Sequence, residues 1–371
     1  MLDRLVRHWL RILLLVASFG AAAPALAQPV ELAVDLTVPA ASFDASVGVW
    51  VDFTLTNRSA TPVGILIWNT PFEGIRNDLF RVTKDGRRVA YRGPKVKRAQ
   101  PNASHYMTLA AGESRTTRGD LAAAYAIEGA GDYRVVFDGI LLDVAREGPG
   151  ATPSGARVGA GGFVPLTSPA VTLQVAKGRT IHRTSAPDPT PPAVASSAFV
   201  GCTTQRKNLL AAARTSARSI ARSAYVALDQ TPAAKRPTAR RSKLWFGTYT
   251  SAHYALVRSH FAKISTALNT AAYTFDCTCT EPGTYAYVYP DEPYKVYLCK
   301  AFWEAATTGT DSKAGTLVHE TSHFTVLGGT DDYVYGQAGA KALAKSNSNK
   351  AVMNADNHEY FAENTPPVAQ P

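Results

Sequence analysis

Two histidines and a glutamate stand close together in the C-terminal half of this chain of 371 residues. Residues 315–325 read G-T-L-V-H-E-T-S-H-F-T, so His319 and His323 are four positions apart and Glu320 follows the first. On a helix, positions i and i+4 share one face, so both imidazoles can bind the same metal ion. Glu320 would lie beside that ion and could act as general base, taking a proton from water. The spacing therefore predicts a metal-dependent hydrolytic site.

A hydrolytic zinc site usually has three protein ligands and keeps a fourth position open. Several side chains downstream of His323 compete for the third place. Asp332 follows a glycine turn that could bring the chain back to the metal. Glu359 and Glu363 lie further along the chain, and His358 is also a candidate. Residue types alone leave these alternatives open.

The residues that follow the histidine pair carry a family resemblance. Residues 329–336 read G-T-D-D-Y-V-Y-G and resemble the G-T-x-D-x-x-Y-G signature of the aspzincins, the deuterolysin group of zinc metallopeptidases. The resemblance implies that one Zn²⁺ is bound by His319, His323 and Asp332. It also implies that Tyr335 helps to stabilise the transition state.

The sequence is more similar still to the peptidyl-Lys metalloendopeptidases, over about residues 199–364. The stretches that match this subgroup in order and spacing are residues 245–249, 275–279, 285–290, 307–311 and 353–360. In that subgroup, acidic residues of the last stretch line the pocket for the residue after the scissile bond, and they map to Asp356 and Glu359. Two fixed carboxylates suit a lysine ammonium. The resemblance therefore implies cleavage of proteins and peptides on the N-terminal side of lysine.

Three alternatives differ from this reading in testable ways. A broad-specificity, deuterolysin-like endopeptidase would share the metal site but lack a lysine pocket. A glutamate-liganded zinc peptidase would depend on Glu359 or Glu363 instead of Asp332. A non-catalytic secreted binding protein with a vestigial motif would bind no zinc, or bind it without turnover.

The first 27 residues have the features of an export signal. Arg4, Arg7 and Arg11 give a positive start, residues 10–23 are mostly apolar, and residues 25–27 read A-L-A before Gln28. The apolar run is too short for a convincing membrane span. We therefore expect a signal peptide at residues 1–27 and a secreted protein without stable membrane association.

Residues 28–176 predict an antiparallel β-sandwich, because short alternating runs recur between turn residues. The runs lie at residues 49–55, 63–68, 133–137 and 171–175. Among these residues the sequence offers neither a metal-ligand set nor an activated nucleophile. A sandwich alone does not fix a function.

Two stretches of this region, residues 69–75 and 91–97, resemble the N-terminal pro-regions of deuterolysin-type precursors. The resemblance implies a pro-domain that inhibits the enzyme within the same chain. Lys95 or Lys97 would then occupy the acidic pocket as a substrate mimic. The alternative is an accessory binding sandwich that stays attached.

Residues 177–198 form a proline-rich linker, where we expect the maturation cut. Residues 199–371 predict an α+β, mainly helical, zincin-like catalytic domain with a small sheet. We expect helices over residues 203–228 and 251–269 and a strand over residues 285–289. The apolar face of the first helix is predicted to comprise Leu209, Ala212, Ala213, Ser216 and Ile220.

Charge is unevenly distributed along the catalytic domain. Residues 198–275 contain twelve basic residues and one acidic residue, whereas residues 276–371 contain six basic and twelve acidic residues. The basic half lacks an aromatic-interleaved basic motif, so we expect a solvated face and no nucleic-acid partner. The acidic half carries the predicted site and would attract cationic substrates. We expect a monomer.

The four cysteines, Cys202, Cys277, Cys279 and Cys299, fit an exported protein with disulfides. Cys277 and Cys279 are too close in an extended chain to pair comfortably, which leaves two pairings open. The family resemblance implies Cys202–Cys277 and Cys279–Cys299. A cysteine-liganded metal site is the weaker alternative, because the C-x-C pair has no second close pair.

Overall fold

The structure, a computed structural model, describes residues 30–146, 162–179 and 197–370. The predicted signal peptide and most of the predicted linker lie outside these residues. None of the helices within the described ranges has the length and hydropathy needed to cross a membrane.

The N-terminal region is built mainly of strands. Its elements are β1 (Leu32–Thr37), β2 (Phe43–Asp44), β3 (Trp50–Asn57), β4 (Val63–Leu66), β5 (Phe80–Lys84), β6 (Arg87–Arg88), β7 (Lys95–Arg98), β8 (Tyr106–Leu109), β9 (Ser114–Asp120), α1 (Leu121–Ala124), β10 (Gly131–Arg146), β11 (Gly162–Thr167) and β12 (Val171–Lys177).

Two sheets of this region face each other across one apolar core. The first has the order β1-β3-β9, and the second is organised around β10, which pairs with β4, β5, β11 and β12. Phe53 of β3 and Phe137 of β10 meet in the core, with ring centroids 4.9 Å apart. The strand pairs β1–β3 and β3–β9 and the pairs that β10 forms with β4, β5, β11 and β12 are antiparallel. The short β2 pairs with β12 in parallel. The four runs predicted as strands lie on β3, β4, β10 and β12, as their alternation indicated.

The C-terminal region is mainly helical, as predicted. Its elements are β13 (Ala198–Val200), α2 (Thr204–Gln230), α3 (Arg240–Phe246), α4 (Ser251–Thr270), β14 (Thr274–Asp276), β15 (Thr284–Val288), β16 (Lys295–Leu298), α5 (Lys300–Glu304), α6 (Lys313–His323), α7 (Gly336–Ser346), α8 (Ser348–Ala351) and α9 (Ala355–Glu363).

The predicted buried face of α2 was wrong, although the helix itself was predicted correctly. The buried residues are Leu210, Ala213, Ala217, Ala221, Ala224 and Leu228, so only Ala213 of the predicted set is among them. The sequence of α2 is rich in alanine on several sides and therefore offers more than one apolar stripe. Packing against α4 and α6 selects among these stripes, and periodicity within the helix carries no information about those partners.

A five-stranded sheet joins the two regions. Its order is β13-β14-β16-β15-β7, so a strand of the N-terminal region completes a sheet of the C-terminal region. β7 pairs with β15 in antiparallel register, with Val96 opposite Tyr287 and Lys97 opposite Ala286. This edge lies beside the predicted site, because β7 also contacts α6.

The C-terminal region is cross-linked by two disulfides, Cys202–Cys277 and Cys279–Cys299. They confirm the pairing that the family resemblance implied. The first bridge links residues 75 positions apart. A loop of this length corresponds to about 4 kcal/mol of stabilisation in the chain-entropy description. Both bridges lie close to the strands that support the site, since Cys277 follows β14 and Cys299 follows β16.

Candidate active site

Helix α6 carries the two histidines and the glutamate, and it is buried along its whole length. Its N-terminus is capped by Ser312, whose Oγ accepts a hydrogen bond from the Gly315 amide at 2.9 Å. The carboxylate of Glu363 on α9 accepts bonds from the Ser312 amide at 2.9 Å and the Ser312 hydroxyl at 2.7 Å. A carboxylate at a helix N-terminus also complements the helix dipole. These contacts hold α6 firmly in the fold.

The structure brings His319, His323 and Asp332 to one point. The Nε2 atoms of the two histidines are 3.1 Å apart. Asp332 Oδ1 lies 3.1 Å from His319 Nε2, and Asp332 Oδ2 lies 3.2 Å from His323 Nε2. The glycine turn returns the chain to the helix, because Gly329 adopts a φ of 58° and the Thr330 amide donates to the Ser322 carbonyl. Asp332 therefore reaches the histidine pair as the resemblance implied.

This cluster has the chemistry of a cation site. Its ligand atoms lie within 4.8 Å of one another. All three residues are fully buried, and apart from the two histidine rings neither carboxylate oxygen of Asp332 has a hydrogen-bond partner among the described residues. Burial disfavours the charge of Asp332, but His323 and His319 hold the pKa of its carboxyl below the usual range. Two imidazoles and one carboxylate match the ligand types of catalytic zinc.

The remaining ring nitrogens are held by the surrounding residues. His323 Nδ1 lies 2.8 Å from the Thr330 carbonyl oxygen. His319 Nδ1 lies 2.8 Å from Asp356 Oδ1 and 3.3 Å from Glu359 Oε2. Such partners fix the orientation of metal-binding imidazoles. Asp356 and Glu359 thus support His319 in addition to lining the predicted pocket.

The other candidates for the third ligand lie elsewhere. Glu359 faces Nδ1 of His319, on the far side of the ring from Asp332. Glu363 holds the start of α6, as described above. His358 is paired with His260 at 3.1 Å and with the Asn354 carbonyl at 3.0 Å. The geometry therefore favours Asp332 among the alternatives that the sequence left open.

Glu320 is buried next to His319. Neither of its carboxylate oxygens has a hydrogen-bond partner among the described residues. Burial raises the pKa of Glu320 well above its usual value. A desolvated carboxyl of this kind is suited to exchange a proton at neutral pH.

Tyr335 lies at the start of α7, three positions beyond Asp332. Its ring packs edge-on against Trp68 of the N-terminal region, with centroids 5.5 Å apart. Trp68 also lies under the guanidinium of Arg98, which follows Lys97 on β7. The predicted catalytic tyrosine is therefore covered by the N-terminal region, and its role in the transition state stays a prediction.

The ammonium of Lys97 occupies a pocket lined by acidic and aromatic side chains. Its Nζ lies 2.6 Å from Glu359 Oε2, 3.3 Å from Asp311 Oδ1 and 3.5 Å from Asp356 Oδ1. It also lies over the rings of Tyr285 and Tyr360, at 5.1 and 5.8 Å from their centroids. The side chain of Lys97 is 1% exposed. The structure thus brings Asp356 and Glu359 together around a lysine.

Charge keeps this buried lysine protonated. Burial alone would lower the pKa of Lys97. The carboxylates of Asp356, Glu359 and Asp311 act in the opposite direction and raise that pKa well above its usual value.

Sequence reasoning did not identify Asp311, Tyr285 and Tyr360 as lining residues of this pocket. Asp311 ends a stretch that resembles the peptidyl-Lys subgroup. The resemblance therefore marked this stretch as similar to that subgroup but assigned no function to Asp311. Its φ of 52° places it in a loop conformation that the spacing of residues cannot reveal.

Residues 69–75 and 91–97, which resemble pro-regions, both meet the site. The side-chain amide of Asn69 donates hydrogen bonds to the backbone carbonyls of Asp332 and Tyr333 at 3.1 and 3.0 Å. The side-chain amide of Asn77 donates a hydrogen bond to the same Asp332 carbonyl at 2.5 Å. On β7, Lys95 donates to the Thr330 carbonyl and to Asp331 Oδ1, both at 2.5 Å. The N-terminal region therefore contacts the backbone that carries the third ligand.

An apolar cluster extends the contact between the two regions. Its buried members are Leu66, Trp68, Ile140 and Leu142 from the N-terminal region and Val334, Leu343, Ala344 and Ala351 from the C-terminal region. Apolar burial of this kind holds the regions together without directional contacts.

Comparisons with known proteins agree with the chemistry of the site. The aspzincin family model, described as lysine-specific metallo-endopeptidase, matches residues 231–363. An extracellular protease of Aeromonas hydrophila is 41% identical over 324 residues, which cover 86% of this chain and 88% of that protein. A peptidyl-Lys metalloendopeptidase of Armillaria mellea is 38% identical over 325 residues, covering 84% of this chain and 86% of that protein.

A third relative matches less than half of this chain. A peptidyl-Lys metalloendopeptidase of Pleurotus ostreatus is 51% identical over 172 residues, which cover 46% of this chain and 99% of that protein. The first two relatives, by contrast, match most of this chain and most of their own length. By its motifs, its site and these relatives, the chain belongs to the aspzincin family of zinc metalloendopeptidases.

Proposed function

We propose that this protein is a secreted endopeptidase, made as a latent precursor, that cuts peptide bonds on the N-terminal side of lysine. One observation carries the proposal: Lys97 is buried among three carboxylates, and two of them, those of Asp356 and Glu359, also contact His319. The pocket recognises the ammonium, and the neighbouring cluster supplies the hydrolytic chemistry.

Zn²⁺ is the ion that His319, His323 and Asp332 would hold, and Tyr335 and Glu320 complete the catalytic residues. When bound, zinc supplies Lewis acidity, which activates water and polarises a peptide carbonyl. Glu320 takes a proton from the attacking water and passes it to the leaving amine. Glu320 is buried and has no hydrogen-bond partner for its carboxylate among the described residues, so the carboxylate is available for both transfers. The Tyr335 hydroxyl donates to the developing oxyanion.

Lysine specificity follows from the shape and charge of the pocket. Asp311, Asp356 and Glu359 surround one compact ammonium, while the tyrosine rings flank its stem. Desolvation of an ammonium is offset only where several anions replace its water. Arginine is longer and its guanidinium is planar, so it fits a pocket shaped around a point charge poorly. A broad-specificity endopeptidase would not need three buried carboxylates at one point, so the cluster favours lysine specificity.

Latency follows from the position of β7. This strand occupies the edge of β15, along which an extended substrate would add, and Lys97 fills the pocket. The N-terminal region thus acts as an intramolecular inhibitor that imitates a substrate. Maturation would cut within residues 177–198 after removal of residues 1–27. The A. hydrophila relative is named as extracellular, which supports export.

The specificity is tested with variants of the pocket. The Asp356→Ala, Glu359→Ala double variant should lose its preference for lysine. Because both residues also orient His319, a general loss of activity would be ambiguous. Asp311→Asn resolves this, since Asp311 approaches Lys97 without contacting either histidine in the described structure.

We expect Asp311→Asn to keep its zinc content and to raise KM for lysine peptides by about tenfold, because one of three anions around the ammonium is neutralised. The matched control is Glu281→Gln, which removes a half-exposed partner of Arg76 outside the pocket. A full lysine preference in both Asp311→Asn and the double variant would refute the pocket assignment.

A further inference from the structure

A second lysine of β7 is held by a separate acidic group. Lys95 Nζ lies 2.5 Å from Asp331 Oδ1 and 2.5 Å from the Thr330 carbonyl oxygen. The Lys95 side chain is 6% exposed and that of Asp331 is 19% exposed. These contacts are distinct from the Lys97 pocket, whose carboxylates come from α9 and the loop before α6.

Asp331 is fixed in place before any lysine arrives. The Asp331 amide donates to the Met353 carbonyl at 2.7 Å, and the Ala355 amide donates to the Asp331 carbonyl at 2.9 Å. The Tyr333 hydroxyl donates to Asp331 Oδ2 at 2.9 Å, which leaves Oδ1 directed to the ammonium. All of these partners belong to the C-terminal region. The group therefore remains assembled when the N-terminal region is removed.

The two lysine sites lie on opposite sides of the histidine pair. The Thr330 carbonyl that accepts from Lys95 also contacts His323 Nδ1 at 2.8 Å. Asp356, which contacts the ammonium of Lys97, also contacts His319 Nδ1 at 2.8 Å. Residues i and i+2 of a strand point to the same face, about 6.7 Å apart. The segment from Lys95 to Lys97 therefore runs from the side of His323 to the side of His319.

This register assigns substrate positions, provided that Lys97 imitates the residue after the scissile bond, as proposed above. Val96 then stands immediately before the bond, and Lys95 stands one residue further back. We propose that Asp331 and the Thr330 carbonyl form a second cation subsite, which selects a basic residue two positions before the scissile bond.

The chemistry of this subsite favours ammonium groups and excludes acids. A carboxylate and a carbonyl oxygen both accept hydrogen bonds, so a lysine satisfies them together. A glutamate at the same substrate position would face Asp331 and meet like-charge repulsion. The preferred substrates are thus segments with two lysines separated by one residue, cut before the second.

The test measures kcat/KM at one peptide bond. Blocked peptides carry the sequence Xaa-Val-Lys, in which Xaa is lysine, norleucine or glutamate, and products are assigned by mass so that only Val–Lys cleavage is counted. The enzyme is the full-length chain activated by limited proteolysis. Norleucine keeps the apolar stem of lysine and removes its charge. We expect kcat/KM about tenfold higher for lysine than for norleucine, as fits a partly buried charge pair, and lowest for glutamate.

Asp331→Asn should reduce the lysine-to-norleucine ratio to below about twofold while cleavage before lysine continues. Glu281→Gln should leave the ratio unchanged. Equal rates for all three peptides with the unaltered enzyme would overturn the subsite, and so would a full preference in Asp331→Asn. The comparison of peptides needs no variant, so misfolding of Asp331→Asn could not rescue the proposal. Absence of cleavage before lysine in every peptide would instead overturn the proposed function.

Discussion

Replacing Lys97 by methionine should release the latency of the intact precursor. Lys97 joins the two regions through a 2.6 Å ion pair with Glu359 and weaker contacts with Asp311 and Asp356. Methionine retains an unbranched apolar stem in the pocket and removes the charge. The change therefore leaves Glu359 and Asp356 buried without their cation for as long as β7 stays docked.

The size of the effect follows from this buried charge. Removing one partner of a buried ion pair typically costs about 3–5 kcal/mol. The docking equilibrium of β7 should therefore shift by roughly 10²- to 4 × 10³-fold towards the open state, at about 1.4 kcal/mol per factor of ten. Once β7 leaves, water can solvate the carboxylates. The cost of burying Glu359 and Asp356 without a cation therefore destabilises only the docked state.

The assay compares initial rates of hydrolysis of a lysine-containing fluorogenic peptide by uncut precursors in the presence of zinc, with gels confirming that the chain remains intact. Lys97→Met should be at least about tenfold more active than the unaltered precursor. Arg115→Met is the matched control, since it breaks an exposed pair with Glu113 on the distant sheet. The reasoning would be refuted if the Lys97→Met precursor stayed fully latent, folded normally and became active after proteolysis of the linker.

Three further outcomes are expected. Glu320→Gln should bind zinc normally and lose turnover by at least about 10²-fold in the activated enzyme, and wild-type rates would remove its role as general base. Asp332→Asn should bind zinc at least about tenfold more weakly by metal titration, and an unchanged affinity would return the third position to another residue. Burial lowers the pKa of His260 to about 4 and of His358 to about 3, from the usual 6.5. As pH falls below about 6.5, these two histidines bind protons in the unfolded chain but stay neutral in the folded protein. The free energy of unfolding therefore decreases between about pH 6.5 and 3. The thermal midpoint should fall over this range, less steeply in His260→Gln, and equal slopes would contradict the assignment.

The parts of the site that were predictable are local in sequence or carried by a signature. His319, Glu320 and His323 lie within one turn of a helix, so their spacing alone fixes their relation. Asp332 was one of several candidates by residue type, and the signature distinguished it. Asp356 likewise came from a stretch with a family pattern. In each case the residues are close along the chain to a recognisable pattern.

The parts that were missed depend on contacts between distant segments. Lys95 and Lys97 share one face of β7, so the sequence could not decide between them. The register of β7 on β15 decides, by placing Lys97 in the pocket and Lys95 against Asp331. Asn69 and Asn77 reach the Asp332 carbonyl from more than 250 positions away. No local propensity encodes such a contact. The same limitation explains the wrong face of α2.

The most direct test of the central claim is mass spectrometry of the peptides released from a denatured protein mixture by the activated enzyme, with and without a chelator. We predict products that begin with lysine, abolished by the chelator and restored by zinc. Chelator-sensitive products without lysine at their N-termini would contradict the assignment of Asp311, Asp356 and Glu359 as the lysine pocket. Absence of cleavage by a folded, zinc-loaded and fully processed protein would contradict the catalytic account itself.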